Sequence, residues 1–177
     1  MSAEPRPAIL NANHDQAFRE ETTRVLTQEG FEVKEAETGA DALRLAANLP
    51  DLILLGVHLP DLSGLEVCCR LKQDPRTCSI PVVHLSSVPV SPASRTAALE
   101  CGADAFLTHP IEPGLLVATI RALLRARHAE NEARESERIW RTTFDAISHG
   151  VCLIDASGIV RQVNRSICAL LGRPPEE

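Results

Sequence analysis

The sequence predicts an α/β protein: a doubly wound, five-stranded parallel sheet, followed by a long helix and an incomplete α+β segment. Three observations lead to this prediction. Short apolar segments alternate with helical patterns from residue 8 to about residue 127. The segment DLILLGV, residues 51–57, is apolar on both faces, as is typical of a central strand in a parallel sheet. Residues 113–148 contain no proline after Pro113, which predicts one helix of about 35 residues, about 50 Å long.

The first part of the chain predicts a strand, a helix and a second strand. Residues 8–13 (AILNAN) form a short apolar strand. Residues 15–30 place apolar side chains on one helical face, and Asp15 can cap this helix while Gly30 can end it. Residues 31–36 alternate between apolar and polar side chains, as an edge-like strand does.

The remaining predicted elements continue this alternation: a helix at 39–49, a strand at 51–57, a helix at 63–74, a strand at 80–87, a helix at 91–102 and a strand at 105–110. The functional crevice of such a sheet lies at the carboxyl ends of its strands. The residues at these ends are therefore expected to converge: Asn13 and His14, Gly56 to His58, Ser86 and Ser87, Thr108 and His109.

Composition excludes several classes of protein. The 177 residues carry a net charge of −6, which argues against nucleic acid as the main partner because a duplex binder needs a basic face. No run of about 18 apolar residues exists, and the N-terminus lacks the pattern of a signal peptide, so a cytoplasmic location is expected.

The six cysteines form no CxxC pair. Five of them are interpreted as reduced core residues: Cys68, Cys69, Cys101, Cys152 and Cys168.

The predicted long helix changes character along its length. Its first half, through Leu124, is apolar and is expected to dock on the sheet, whereas its middle (RARHAENEARESER) is polar. A heptad pattern, interrupted by Glu130 and Glu137, runs through Leu116, Leu123, Ala126, Ala133, Trp140, Phe144 and Ile147. The pattern favours a parallel two-chain coiled coil, because a bare polar helix of this length is marginal alone. The alternative is a solvated single helix.

The last part of the chain predicts a β-hairpin, with strands at 150–155 and 159–164, followed by a short helix that Gly172 closes. Two strands and one short helix cannot bury a core of their own. We therefore expect that the chain is cut from a longer protein or that a partner completes this segment.

Residues 8 to about 127 resemble the receiver domain of two-component response regulators. The resemblance rests on four segments: GFEVKEAETGADALRLA, PDLILLGVHLPDLSGLEVCCRLKQDP, IPVVHLSS and CGADAFLTHPIEPGLL. It implies the flavodoxin-like strand order 2-1-3-4-5. In that family an aspartate at the end of the third strand accepts a phosphoryl group, and two acidic residues after the first strand hold Mg²⁺. A Ser or Thr ending the fourth strand and a Lys ending the fifth contact the phosphoryl oxygens.

Four positions of this sequence differ from the family pattern. Gly56 stands in place of the phosphoaccepting aspartate, Asn13 and His14 occupy the acidic pair, and His109 replaces the lysine. Without a carboxylate at position 56 there is no nucleophile that can form an acyl phosphate. Mg²⁺ prefers hard oxygen ligands, and an imidazole carries less positive charge near pH 7 than a lysine ammonium does. The resemblance therefore implies a domain that does not run the usual phosphorylation cycle.

Two positions match the family pattern, namely Ser86 and, at the aromatic switch position, Phe106. Three other aspartates are weak substitutes for an acceptor at position 56. Asp51 begins the same strand, about 16 Å away, and Asp61 lies in the following loop. Asp15 stands at a helix start, where capping explains it.

A second interpretation of the pocket uses its histidines. His14, His58 and His109 all lie near the predicted strand ends, and three imidazoles could bind Zn²⁺ or Cu²⁺. Their spacing is not a local metal motif. We therefore favour the interpretation that they replaced residues of a site released from its former chemistry, and we predict no cofactor.

The segment ERIWRTTFDAISHGVCLIDASGIVRQVNRSICALLGRPPEE resembles the start of a PAS domain. The predicted organisation is a disordered N-terminus at 1–7, a receiver-like domain at 8–127, a helical linker at 128–148 and the start of a PAS domain at 149–177. This order is similar to the front end of bacterial multidomain signalling proteins, most of which end in a histidine kinase module. No catalytic module is recognisable within the sequence.

The expected function is that of a pseudo-receiver, an interaction and signal-transmission module of a two-component sensor protein such as a histidine kinase. The resemblance implies homodimers that pair through the fourth helix, fifth strand and fifth helix and through the long helix, and contacts with other signalling proteins. Two alternatives stay open: a phosphoaccepting receiver in a phosphorelay, and a metal or small-molecule sensor using the three histidines.

Overall fold

The computed structural model describes residues 6–86 and 92–172. The chain divides between Arg127 and His128 into two compact units. The first unit contains five strands: β1 (Ala8–Ala12), β2 (Glu32–Ala36), β3 (Leu52–Gly56), β4 (Val82–Ser86) and β5 (Ala105–Thr108). Four helices connect these strands: α1 (Gln16–Gln28), α2 (Gly39–Ala46), α3 (Gly64–Gln73) and α4 (Pro92–Glu100).

The five strands form one parallel sheet in the order β2-β1-β3-β4-β5. The predicted fold class and strand order are therefore confirmed. The register pairs Ala12 with Leu55, and Gly56 with Leu85. Because the central strands end in register, the residues that follow them meet at one edge of the sheet.

Strand β3 is buried along its whole length, as its apolar sequence predicts. Leu52 and Leu54 pack on one face with apolar residues of α1 and with Ile120 of the long helix. Ile53 and Leu55 pack on the other face with residues of α2, α3 and α4. A fully buried leucine or isoleucine contributes about 2 kcal/mol to folding, so this strand anchors both helical layers.

Helix α1 begins at the residue that the sequence predicts. The Asp15 carboxylate accepts a hydrogen bond from the Phe18 backbone N–H (3.1 Å), which is the geometry of an N-cap. Gly30, with φ at +91°, follows the end of the helix.

Residues 1–5 of the predicted disordered N-terminus lie outside the described residues. The Pro7 carbonyl accepts a hydrogen bond from Glu32 N–H (3.0 Å) at the sheet edge.

The long helix α5 spans Pro113–Ala146, 34 residues. Two of the predicted heptad positions face the core of the first unit, because Leu116 is buried against the sheet and Leu123 packs partly against it. A third, Phe144, is 6% exposed within the second unit. The heptad members that remain exposed are Ala126, Ala133, Trp140 and Ile147. No helix among the described residues is long and apolar enough to cross a lipid bilayer.

Charged side chains stabilise the exposed middle of α5 along its own surface. Ion pairs join Arg134 to Glu130 (2.6 Å) and Arg138 to Glu135 (2.6 Å). Each such pair contributes only about 0.2–0.5 kcal/mol, so they support the helix without fixing what it packs against.

The second unit contains the predicted hairpin and short helix: β6 (Cys152–Ile154), β7 (Val160–Val163) and α6 (Arg165–Leu171). Asn164 is fully buried and joins these parts. Its side-chain amide donates to the carbonyls of Ile147 (3.1 Å) and His149 (2.8 Å), and its Oδ1 accepts from Val151 N–H (3.0 Å). One side chain thus links the C-terminal end of α5 to the start of the hairpin.

The cysteines differ from the prediction at three positions. Cys69 and Cys101 form a disulfide, with their Cα atoms 5.1 Å apart, instead of remaining reduced core residues. Cys152 is exposed, because the short β6 has no layer packed over it among the described residues. Cys68 and Cys168 are free and buried, as predicted.

His84 is the largest buried ionisable side chain of the sheet. It lies on β4, is 1% exposed, and stacks on Phe106 with 6.0 Å between ring centroids. Neither ring nitrogen forms a hydrogen bond of good geometry among the described residues. Burial lowers the pKa of His84 from 6.5 to about 4, although the nearby backbone of Leu55 acts in the opposite direction.

This lowered pKa predicts a pH dependence of stability. Between pH 6.5 and about 4 the unfolded chain binds a proton at His84 and the folded chain does not. The free energy of unfolding is therefore expected to fall by about 3 kcal/mol from this group as the pH drops through that window. Urea unfolding at several pH values should show this slope in the wild type and a smaller one in His84→Leu. A matched change at an exposed position, His128→Gln, should leave the slope as it is, and equal slopes in all three proteins would contradict the assignment.

Candidate functional site

The carboxyl ends of β1, β3 and β4 enclose a small cavity. Seven residues line it: Asn13, His14, Gly56, Val57, His58, Leu85 and Ser86. Its volume of about 10 Å³ is near the minimum for one water molecule. The strand ends thus bring together six of the residues that the sequence predicts to converge, while Ser87 lies outside the described residues. No carboxylate is among the described residues that line the cavity.

Asn13 fills the space over Gly56. Its Oδ1 accepts a hydrogen bond from Asp15 N–H (3.0 Å), and the residue is 4% exposed. A Cβ added at Gly56 would lie 3.3 Å from Asn13 Cγ and 3.3 Å from the Ala12 carbonyl oxygen. The Asn13 amide therefore packs where a side chain at position 56 would begin, and a larger residue there would have to displace it.

The start of α3 approaches the end of β3 closely. A Cβ at Gly64 would lie 2.1 Å from the Gly56 carbonyl oxygen, which no real side chain tolerates. The Gly64 N–H donates to the Val57 carbonyl (2.9 Å) in the same approach. Glycine at position 64 therefore fixes the loop that closes one side of the cavity.

His14 contacts the backbone of His58 through one of its ring nitrogens. His14 Nδ1 lies 2.8 Å from the backbone carbonyl oxygen of His58. Because a carbonyl can only accept, this nitrogen carries the proton, and the lone pair of neutral His14 lies on Nε2. The ring of His14 is therefore oriented by the loop backbone.

His109 lies outside the cavity lining. Its ring packs edge-on against Phe18 of α1, with centroids 5.2 Å apart, and its backbone N–H donates to the Ser86 carbonyl (2.7 Å). Among the described residues no group of three histidine, cysteine or acidic side chains could hold a metal ion. Among these residues the structure thus does not bring His14, His58 and His109 together as a metal-binding group, and the ring of His109 instead contacts α1.

Phe106, the predicted switch position, is half-buried on β5. The guanidinium of Arg95, from α4, lies 5.4 Å from its ring centroid and donates to Thr108 Oγ1 (3.1 Å). Such a cation–π contact at a partly exposed site contributes about 0.5–1 kcal/mol. Sequence reasoning missed Arg95, since no local pattern shows which residue of α4 crosses β5.

Arg19 is a second residue that the sequence did not indicate. Its side chain is only 11% exposed, and it donates to the Asn13 carbonyl while it forms an ion pair with Glu35 (3.2 Å). A fixed guanidinium thus lies against the backbone of the cavity. Its arrangement depends on the packing of α1 on β2, which sequence spacing does not reveal.

Each of the three other aspartates has a structural role. Asp61 accepts hydrogen bonds from Gly39 N–H (2.7 Å) and Ala40 N–H (2.8 Å) at the start of α2, and these bonds lower the pKa of its carboxyl group. The Asp51 carboxylate accepts from Ala8 N–H (2.8 Å) at the far end of the sheet. Asp15 caps α1. None of the three is among the described residues that line the cavity.

Comparison with known proteins identifies two segments. The family model of the response regulator receiver domain matches residues 9–121, and that of the PAS domain matches residues 138–177.

The response regulator PleD of Caulobacter vibrioides is 43% identical over 113 residues, which is 63% of this chain and 25% of PleD. The transcriptional regulator RpaA of Synechocystis is 35% identical over 133 residues, 70% of this chain and 55% of RpaA. The chain thus spans a quarter to about half the length of these relatives.

Solved structures give the same result for the fold. A receiver domain of a signal transduction histidine kinase from Syntrophus aciditrophicus is 30% identical, with a TM-score of 0.63 over 68% of this chain and 91% of that one. A CheY-like receiver domain protein from Methanospirillum hungatei is 26% identical, with a TM-score of 0.67 over 71% of this chain and 99% of that one.

Proposed function

Because this chain belongs to the response regulator receiver family and carries a PAS match after its receiver domain, we propose that it is a pseudo-receiver module of a two-component sensor protein. In this proposal the domain accepts no phosphoryl group. It serves as an interaction, dimerisation and signal-transmission module, and the parent protein is a cytoplasmic histidine kinase. The similar receiver domain from a signal transduction histidine kinase supports that choice of parent.

The observation that carries the proposal is the lining of the cavity at Gly56. Acyl phosphate formation needs a carboxylate oxygen as the nucleophile, and position 56 has no side chain. Mg²⁺ in such sites is held by carboxylates, whereas Asn13 Oδ1 is engaged by Asp15 N–H and His14 offers a nitrogen. His109, the residue at the lysine position, packs on Phe18. The residues that would supply the nucleophile, the metal ligands and the positive charge of a phosphoaccepting site are thus all replaced.

The alternative of a phosphoaccepting receiver would need another acceptor. Asp61 is bound by two backbone N–H groups of α2, and Asp51 by Ala8 at the other end of β3. Using either one would break these hydrogen bonds and move the loop or strand that holds it. The fixed contacts of these aspartates therefore favour the pseudo-receiver.

Signal transmission is proposed to run through α5. This helix begins in the first unit, where Ile120 is buried, and ends in the second, where Asn164 binds the carbonyls that follow its last turns. We propose that residues 8–127 form the receiver-like domain, 128–148 the helical linker and 149–177 the start of the PAS domain. A rotation or separation of two such linkers in a dimer would reach the PAS segment without any phosphoryl group.

Dimerisation is proposed through the surface of α4, β5 and α5 and through the exposed linker seam, which consists of Ala126, Ala133, Trp140 and Ile147. These four residues are spaced seven apart and are all exposed. Trp140 also stacks on Phe144, with centroids 4.5 Å apart, which holds its ring on the helix surface. Small residues at two positions of the seam permit close approach of a second helix, and the aromatic ring supplies most of its apolar area.

The loss of phosphoryl chemistry can be tested by reversing it. Incubation of the wild type with acetyl phosphate and Mg²⁺ is expected to give no phosphorylated species in intact-protein mass spectrometry. The variant with Asn13→Asp, His14→Asp, Gly56→Asp and His109→Lys should gain one phosphoryl group that hydroxylamine removes. Gly56→Asp alone is the matched control and should stay unmodified, because it still lacks the metal ligands. A stable acyl phosphate on the wild type would refute the pseudo-receiver assignment.

The linker seam predicts a concentration-dependent dimer. Trp140→Glu should weaken the association of the full chain at least about tenfold, since it places a charge at the centre of the apolar seam. Thr142→Glu, on the opposite side of the same helix, is the matched control and should associate as the wild type does. Light scattering combined with size-exclusion chromatography measures both. A wild type that stays monomeric at high micromolar concentration would contradict the proposal.

A further inference from the structure

The disulfide Cys69–Cys101 joins two helices outside the pocket described above. Cys69 lies in α3, and Cys101 follows the last residue of α4, so 32 positions of sequence separate them. Their Cα atoms are 5.1 Å apart, inside the normal range for a disulfide. The bond therefore attaches the C-terminal end of α4 to α3.

Contacts other than the disulfide hold the two cysteines together. Lys72, one turn after Cys69, lies under Gly102, where an added Cβ would be 3.1 Å from Lys72 Cγ. The Lys72 ammonium is 2.9 Å from Asp104 Oδ2 and 2.9 Å from the Ile80 carbonyl oxygen. Asp104 Oδ2 also accepts from Val82 N–H (2.8 Å). These contacts would keep residue 101 beside α3 when the sulfurs are reduced, so that bond formation needs little movement.

The pair differs in burial from the neighbouring Cys68. Both Cys69 and Cys101 are half-buried, so neither residue is enclosed in the core. The neighbouring Cys68 is fully buried in the core, where burial raises the pKa of its thiol to about 11. Since only a thiolate attacks a disulfide, the raised pKa of the Cys68 thiol keeps it from competing with Cys69 and Cys101.

We propose that Cys69 and Cys101 form a reversible thiol–disulfide site whose reactants are low-molecular-weight disulfides and thiols. In the forward direction one cysteine thiolate attacks a small disulfide RSSR, a mixed disulfide forms and the first RS⁻ leaves and takes up a proton. The second cysteine thiolate then attacks the protein sulfur of the mixed disulfide, the protein disulfide forms and the second RS⁻ leaves. Two electrons pass from the protein sulfurs to RSSR, which becomes two RSH. An excess of RSH reverses both steps.

The state of this site controls how firmly α4 is held. Ala98 is the residue of α4 that packs in the core, whereas Leu99 beside it is 52% exposed. Arg95 reaches Phe106 and Thr108 from the same helix. Oxidation fixes the C-terminal end of α4 and with it the orientation of Arg95 over β5, while reduction removes that covalent attachment. The site thus offers an input to α4 that does not depend on the pocket at Gly56.

Equilibration of the full chain with glutathione disulfide and glutathione tests the proposal. Peptide mapping after alkylation should find Cys69 linked to Cys101 in the oxidising buffer and both alkylated in the reducing buffer, with full interconversion. Hydrogen–deuterium exchange of α4 amides should be about tenfold slower in the oxidised protein. The thermal midpoint of the receiver unit should rise by about 5–15 °C on oxidation.

Two variants make the result specific. Cys69→Ser should abolish the linked peptide and the difference in α4 exchange between the two buffers. Cys78→Ser removes an exposed free cysteine and should leave both intact. The proposal is overturned if both cysteines are alkylated in the oxidising buffer, if the bond resists glutathione in the folded protein, or if α4 exchanges equally fast in both states.

Discussion

The burial of β3 is the constraint on which the rest of this structure depends. Its five residues are buried, and two helical layers must cover it because both of its faces are apolar. Once β3 is central, β1 and β4 pair with it on either side, and their carboxyl ends must lie beside Gly56. The position of the pocket is thus determined by the strand order and register of the sheet, and it does not depend on which side chains line the pocket.

In our proposal, this independence allows a receiver fold to persist without receiver chemistry. A cluster of carboxylates at one sheet edge is electrostatically costly when no metal is bound, because like charges raise one another's pKa values and oppose folding. Replacing the cluster with Asn13, His14 and Gly56 removes that cost and allows the amide of Asn13 to pack on the strand end. If the metal site was lost as we propose, selection for stability acted in the same direction. What remains functional, in our proposal, is the surface of the domain and the helix that leaves it.

Sequence patterns predicted the helices and strands that are stabilised by local capping and by the burial of regularly spaced apolar side chains. The all-apolar β3, the capped α1 and the hairpin before α6 lie where their patterns indicate, and strand-end convergence placed Asn13 beside Gly56. The patterns did not predict which way exposed side chains turn. His109 lies at the predicted strand end, yet its ring packs against Phe18, which is 91 positions away in the sequence. Likewise, Cys69 and Cys101 meet only because α4 packs beside α3, and the heptad pattern of α5 could not show that Leu116 and Phe144 face the chain's own units.

The central claim is that the pocket at Gly56 binds neither Mg²⁺ nor a phosphoryl group. The most direct measurement follows the backbone amide resonances of Asn13, Gly56 and Ser86 by NMR while Mg²⁺ and then beryllium fluoride, a phosphoryl mimic that requires a carboxylate partner, are added to the wild-type chain. Our account predicts that these resonances stay in place at millimolar concentrations of both. Saturable shifts of the three amides, strengthened by beryllium fluoride in the presence of Mg²⁺, would contradict it.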